Sequence, residues 1–431
     1  MGRAARLAAQ KLRHAVGIVV LTVPLIICAR QRALTRHLGA LDEHPEHILT
    51  INLLLIILTT ALCRAILGRA DLDRPPVARC ARRAIGDTDA RFCRHPPEAL
   101  PFLTMRDDVS LNPIRPLSTE LAWLDDPALA ASLVTLTAGA LRAVIAPAVG
   151  GALAAFYEAT PEGPLHWLRP AASAAFEQRD PLRMASFPLF PYCNRIRDAR
   201  FEFGGGTIDL SGNDERFAHA LHGNAWRRPW QVGARTDSSV ELHFEHDPDA
   251  QVAGDWPFRY RAQQRIELSG GELRITLSAQ NLAERPMPFG MGHHPYYPRT
   301  AQTRVYADVQ AMWHADADVL PTHLGPHPAV DALREGMSPD AFDLDNNFAN
   351  WTREATIAWP DEHRRLTMTA DAPFDHMVVF APANDPQLCV EPVTNTTDCF
   401  NAVGMRDQVG GCVLQPGEEI AATLKWTPQR G

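Results

Sequence analysis

The chain has 431 residues, 46% of them hydrophobic and 21% charged, with a formal net charge of −8. That length accommodates one large domain with an appendage, or two domains. The mild acidity excludes the basic footprint expected of a nucleic-acid-binding protein.

The first hundred residues read differently from the rest. A basic start (Arg3, Arg6, Lys11, Arg13) leads into an apolar run from Ala15 to Ala29, broken by Pro24, and a second apolar run extends from Ile48 to Cys63. Each uninterrupted run is shorter than the ~20 residues that span a bilayer. Three readings of residues 1–104 compete. The first is a signal peptide, although no small-residue cleavage site follows Cys28. The second is a membrane hairpin, although Arg30, Arg32 and Arg36 lie in its loop and basic residues on every side give no orientation. The third is a start placed upstream of the true one, for example near Met105, and this reading is favoured. It implies a cytoplasmic protein, with membrane anchoring or export through residues 15–63 as the alternative. The eight cysteines (28, 63, 80, 93, 193, 389, 399 and 412) have no Cys-x-x-Cys spacing. We expect reduced thiols, Cys389 buried in its apolar run, and no zinc or redox site.

From about Leu133 the pattern turns to period two, the mark of half-buried strands. Val240–Phe244 and Leu273–Leu277 carry apolar residues at every second position, and Ala279 continues the second face. Ser269-Gly270-Gly271-Glu272 joins that strand to Arg259–Leu268 and predicts a hairpin, with glycines available for positive φ. Later strands are predicted at Leu366–Ala370, His376–Ala381, Cys389–Val393 and Ile420–Trp426. No long helical periodicity, P-loop or strand–helix alternation is found. So many strands in a unit of roughly 300 residues predict packed sheets, an extended many-stranded antiparallel sandwich.

Five clusters concentrate residues that ordinary loops do not need. They are Phe187–Arg197, with Asn194 and Arg195 behind a Pro-rich approach; Ala220–Trp226, with His222; Gly290–Tyr297, with His293-His294-Pro295; Phe342–Phe348, with Asp343 and Asp345; and Val390–Asn395, with Glu391. Singly, each has a plain structural explanation: a satisfied histidine, an ordinary ion pair, an Asp capping a turn. Glu391 is the hardest to explain so, because a carboxylate between Val390 and Pro392 on an apolar strand needs a partner. Together they describe a carbohydrate site. Asn, Asp, Arg and His supply hydrogen bonds to hydroxyls, with Trp226, Tyr296 and Tyr297 as candidate flat walls.

These motifs resemble the aldose 1-epimerase (galactose mutarotase-like) family. The resemblance is carried by Asn194-Arg195-Ile196 with Arg200-Phe201, Leu221-His222-Gly223, His294-Pro295-Tyr296, Leu344-Asp345-x-x-Phe348, and the late strand with Glu391. They occur in the family's order over roughly residues 130–428. The resemblance implies an all-β supersandwich, no metal or organic cofactor, and a small sugar as the partner. It implies Glu391 as the base that takes the anomeric hydroxyl's proton and His294 as the acid that protonates the ring oxygen. Asn194, Arg195, His222 and Asp345 would hold the sugar. His294 is preferred to His293 because it precedes Pro295, and Asp343 is a weaker rival to Asp345. The alternatives are a hexose-6-phosphate 1-epimerase, with Arg197 and Arg299 as candidate cations, and a non-catalytic carbohydrate-binding module. A lyase or hydrolase ranks lower, since hydrolases generally use two carboxylates.

Overall fold

The computed structural model describes residues 121–214, 216–248, 254–383, 385–402 and 405–431. The apolar runs at 15–29 and 48–63 and the candidate start at Met105 lie outside the described residues. Within them, no helix is long and apolar enough to cross a membrane.

The protein is a mostly antiparallel β structure built on two large sheets, the many-stranded architecture expected from the period-two segments. One sheet has eight strands and is organised around the longest of them, Glu419–Arg430, which pairs with Leu273–Asn281 on one side and Arg364–Ala370 on the other. Its period-two segments behave as predicted. Leu273–Asn281 and Tyr260–Leu268 bury every second residue, so one face of each strand leaves water while the other carries the polar side chains. The predicted hairpin forms, with Leu268 opposite Leu273 and Ser269 N–H donating to Glu272 O at 2.9 Å. Neither Gly270 nor Gly271 occupies the left-handed region, however. An added Cβ at either position would meet nothing within 4 Å, so neither a positive φ nor a close approach requires glycine in this turn.

The second sheet positions the site. Its seven strands run, in spatial order, Pro321–Gly325, Ala311–Ala315, Leu344–Ala349, His376–Ala381, Cys389–Val393, Gly292–His293 and Pro188–Leu189. Register fixes which side chains share a face. Asn347 is opposite Val378, and Val378 is opposite Glu391. Asp345 is opposite Phe380. Met377, Val379 and Val390, one residue out of step, belong to the main hydrophobic core together with Ile275, Leu424 and Trp426 of the eight-stranded sheet. This alternation accounts for the apolar neighbours of Glu391. Val390 faces the intersheet core, and Glu391 projects from the opposite face.

Helices are short and few. The longest among the described residues, Pro328–Glu335, has Pro at its first turn and ends on Gly336 at φ 101°. All four cysteines among the described residues are free, and Cys389 is fully buried on its strand.

Candidate active site

The site is assembled from four chain segments that reach the face carrying Glu391. The segment Tyr192–Ile196 and the turn Leu221–Gly223 are joined by a two-residue ribbon in which Arg195 pairs with Leu221. Asn194 and His222 then bond reciprocally. His222 N–H donates to Asn194 O at 3.0 Å, and Asn194 N–H donates to His222 Nδ1 at 3.0 Å. Both residues sit at positive φ, 62° and 57°, a conformation that non-glycine residues adopt only when their surroundings impose it. Gly223 is obligatory here: its φ is 70°, and an added Cβ would stand 1.9 Å from Phe190 O.

This arrangement fixes the His222 tautomer. Because Nδ1 accepts a hydrogen bond, the proton of the neutral ring is on Nε2. Burial pushes the His222 pKa well below its usual value, and the neighbouring His294 and Arg195 push the same way. His222 is therefore a neutral donor.

Asn194 also holds Arg195. Its Oδ1 accepts from Arg195 N–H at 2.8 Å and from the guanidinium at 3.2 Å. The other end of that guanidinium meets Asp345 Oδ2 at 3.2 Å, bridging two segments 150 residues apart. Asp343 is elsewhere: its carboxylate accepts from Ala383 N–H at 2.8 Å and pins an exposed turn.

His294 is held on three sides. Its N–H donates to Phe187 O at 2.9 Å. Its ring is stacked between Phe187 (centroids 4.7 Å, 22° between planes) and Tyr296 (4.8 Å, 27°), with His222 edge-on at 5.3 Å. Nε2 of His294 lies 3.3 Å from Glu391 Oε1. His293 points the other way, into the core, with Nδ1 on the Ser186 hydroxyl and its ring edge-on to Trp426. The doubled histidine is thus divided by strand alternation between two environments.

The electrostatics of the pair follow from burial. His294 and Glu391 have side chains only 4% and 3% exposed. Desolvation lowers His294 to about 3, and Arg169 and His293 push the same way. It raises Glu391 well above the usual carboxylate range, with Asp345 adding to the rise and Arg195 opposing it. Both shifts favour the uncharged pair, a neutral imidazole beside a protonated carboxyl, so one proton is shared between two heavy atoms in contact. Glu391 Oε2 and His294 Nδ1 have no hydrogen-bond partner among the described residues.

Of the aromatic walls expected from the sequence, Trp226 and Tyr297 are corrected, and Tyr296 lies directly against His294. Trp226 is fully buried behind Phe187, its indole N–H donating to Leu221 O and Gly223 O at 3.3 and 3.2 Å. Tyr297 turns into the core, where Trp426 Nε1 donates to its hydroxyl at 3.1 Å. Tyr296 is covered on one face by His294, and the Arg169 guanidinium lies 3.8 Å from its ring centre. These rings stiffen the layer behind the site. The aromatic ring sharing a face with Asp345 is Phe380, which sequence reasoning missed because all six residues of its strand are buried and show no alternation.

The two candidate phosphate cations occupy separate networks. Arg299, with a side chain 8% exposed, is bound to the Asp340 carboxylate and to the carbonyls of Asp385 and Gln387. Arg197 lies 3.3 Å from Asp398 and 3.7 Å from Asp316, and lines a cleft of about 510 Å³ that also includes Trp313 and Asn401. Among the described residues, the one group of side chains with the spacing to hold a metal ion is His294, Cys389 and Glu391.

The aldose 1-epimerase family model matches residues 132–427. The uncharacterized protein YphB of Escherichia coli K12 is 29% identical over 314 residues, covering 68% of this chain and 99% of that protein. A candidate aldose 1-epimerase of Escherichia coli K12 superposes with a TM-score of 0.60 at 26% identity, covering 69% and 99% of the two chains. A galactose mutarotase-like protein of Clostridium acetobutylicum gives 0.62 at 21% identity, covering 69% and 95%.

Proposed function

This chain belongs to the aldose 1-epimerase family, and from that premise we propose that it interconverts the α and β anomers of a hexose by acid–base ring opening. The observation that carries the reading is the 3.3 Å approach of His294 Nε2 to Glu391 Oε1 on the face that also bears Arg195 and Asp345. The hydroxyl oxygen O1 and the ring oxygen O5 of a cyclic aldose are both bonded to C1, so the groups serving them must be close neighbours. This pair is.

The protons balance without any other reagent. Glu391, as carboxylate, takes the O1 proton; the O1 electron pair forms the C1=O1 bond; the C1–O5 bond breaks; and O5 takes the proton of the His294 imidazolium. Rotation about C1–C2 presents the other face of the aldehyde. Reclosure then runs backwards, with Glu391 returning its proton to O1 and His294 recovering the one on O5. In effect one proton passes from His294 to Glu391 through the sugar and back.

Burial favours the proton on Glu391, the state that follows ring opening. In the empty site that is also the resting state, and the direct contact is the route by which the proton passes to His294 to give the carboxylate and imidazolium that start ring opening. Arg195, which lowers the Glu391 pKa, stabilises the carboxylate required at that moment. Such a positioned acid and base each typically contribute ~10²–10⁴-fold. In this scheme His222 donates Nε2–H to a sugar hydroxyl. The Arg195–Asp345 pair presents donors and acceptors to others, and Asn194 keeps Arg195 in place.

An unphosphorylated hexose fits better than a 6-phosphate, because Arg197 is already compensated by two carboxylates and Arg299 is committed to Asp340 and backbone carbonyls. A non-catalytic sugar-binding module would have no need to retain both an acid and a base. A hydrolase would need a second free carboxylate, and Asp345 is engaged by Arg195.

The test is polarimetry of freshly dissolved α-glucose, α-galactose and glucose 6-phosphate, with and without the protein. Accelerated approach to the anomeric equilibrium is expected for a free hexose, with glucose 6-phosphate slower. Acceleration confined to glucose 6-phosphate would exchange the first reading for the phosphate variant. No acceleration across a wider sugar panel would leave the binding module.

A further inference from the structure

We propose that the ring-opening site doubles as a site for a thiophilic divalent cation such as Zn²⁺, held by His294, Cys389 and Glu391, and that the ion and the sugar exclude each other. Ligand atoms of the three side chains all lie within 4.8 Å of one another. A tetrahedral zinc with bonds of ~2.0–2.3 Å sets its donors roughly 3.5 Å apart, and His294 Nε2 and Glu391 Oε1 are already at 3.3 Å. Cys389 comes into reach because it lies two residues before Glu391 on one strand, so both project from the same face.

The donor set is a nitrogen, a sulfur and an oxygen. That is a borderline-soft combination which selects zinc-like ions over Mg²⁺ or Ca²⁺. Three protein ligands leave a fourth position open for water. The absence of Cys-x-x-Cys spacing does not bear on such a site, because His294 reaches it from a neighbouring segment of the chain.

Charge is the second argument. Cys389 and Glu391 are both buried, so as anions they would need a compensating cation beside them. In their ligating forms the trio carries a neutral imidazole, a thiolate and a carboxylate, and one divalent cation neutralises both anions. Binding therefore displaces the thiol proton and the proton shared by His294 and Glu391, and metal affinity rises with pH. A further observation points to an unmet partner: Glu391 Oε2 is buried without a hydrogen bond among the described residues.

An ion in this position ties up the acid and the base together. That consequence rests on the proposed function; the metal site itself does not. The test separates them. Reduced full-length protein without an affinity tag is titrated with Co²⁺, and the near-ultraviolet thiolate-to-metal absorption is recorded with and without saturating glucose or galactose. Parallel titrations use Cys389→Ala and, as a control for the exposed thiol, Cys412→Ala. We expect a band component that Cys412→Ala keeps, Cys389→Ala removes and sugar displaces. Zn²⁺ affinity by calorimetry should fall at least about tenfold in Cys389→Ala, the lower end of the cost of losing even an outer partner of a metal site. Zn²⁺ should also inhibit anomer exchange competitively with sugar, with recovery on chelation. A band unchanged by Cys389→Ala overturns the proposal. If Cys389→Ala does not fold, Cys389→Ser takes its place, and a thiolate band that this variant keeps overturns the proposal equally. A Cys389-dependent band in a protein without epimerase activity upholds the metal site and rejects the catalytic reading.

Discussion

Replacing Glu391 with Gln is expected to lower kcat for anomer exchange by ~10²–10⁴-fold, the range a positioned base supplies, while the fold and the sugar affinity persist. The side chain is buried and its neutral form is favoured in the empty site, so the isosteric amide introduces no uncompensated charge. It also keeps a polar atom opposite His294 Nε2. What it loses is the capacity to take a proton from O1. The KM should therefore move little while kcat collapses, the pattern of a group that acts in the transition state and not in ground-state binding. Saturation kinetics by polarimetry, with sugar binding measured separately by calorimetry, gives both quantities. Wild-type exchange in Glu391→Gln would remove the base from the scheme.

Replacing His294 with Gln should cost about the same factor, ~10²–10⁴-fold in kcat, and the double variant should be little worse than either single one. A proton that travels from one group to the other through the substrate makes the two a single unit, and effects within such a unit are not additive. The neighbouring histidine supplies the contrast. His293 faces the core, bonded to Ser186 and packed on Trp426, so His293→Gln should lower stability by roughly 1–3 kcal/mol through the buried group it leaves unpaired. Among molecules that fold, kcat should stay near the wild-type value. Thermal melts and kcat for the two variants check the assignment. Equal kcat losses in both would mean that His293, too, serves the reaction.

The sequence carried the fold where one face of a strand is wet and the other dry. Leu273–Asn281 and Tyr260–Leu268 show this best, since every second residue is buried. His376–Ala381 and Cys389–Val393 were identifiable as strands by their apolar runs, but with all residues buried the facing of each side chain was not readable. For that reason the sequence does not reveal Phe380 beside Asp345, nor that Trp226 and Tyr297 are packed behind the site.

The polar residues were more legible. Asn194, Arg195, His222 and Asp345 are joined by hydrogen bonds between segments as far as 150 residues apart, and the His294–Glu391 pair meets them where the His222 ring stands edge-on to His294. Motif order suggested that grouping; it could not supply distances. Arg299 shows the converse error, since a cation near a motif proved to be tied to a neighbouring loop. The glycines of the turn after Leu268 show that a residue permitted to take positive φ need not do so. Cys389 was read as a buried thiol, and only the strand geometry places its sulfur near His294 and Glu391.

The central claim is that C1–O5 breaks and C1–O1 does not. It is tested most directly with a hexose carrying a heavy-oxygen label at O1. The labelled α anomer is converted in ordinary water by enough protein to make uncatalysed exchange negligible, and the product is weighed by mass spectrometry. Ring opening through Glu391 and His294 predicts that the label survives many anomer interconversions. Only slow hydration of the transient aldehyde should erode it. Loss of the label in step with each inversion would mean that the O1 hydroxyl leaves and water returns, and would contradict the account.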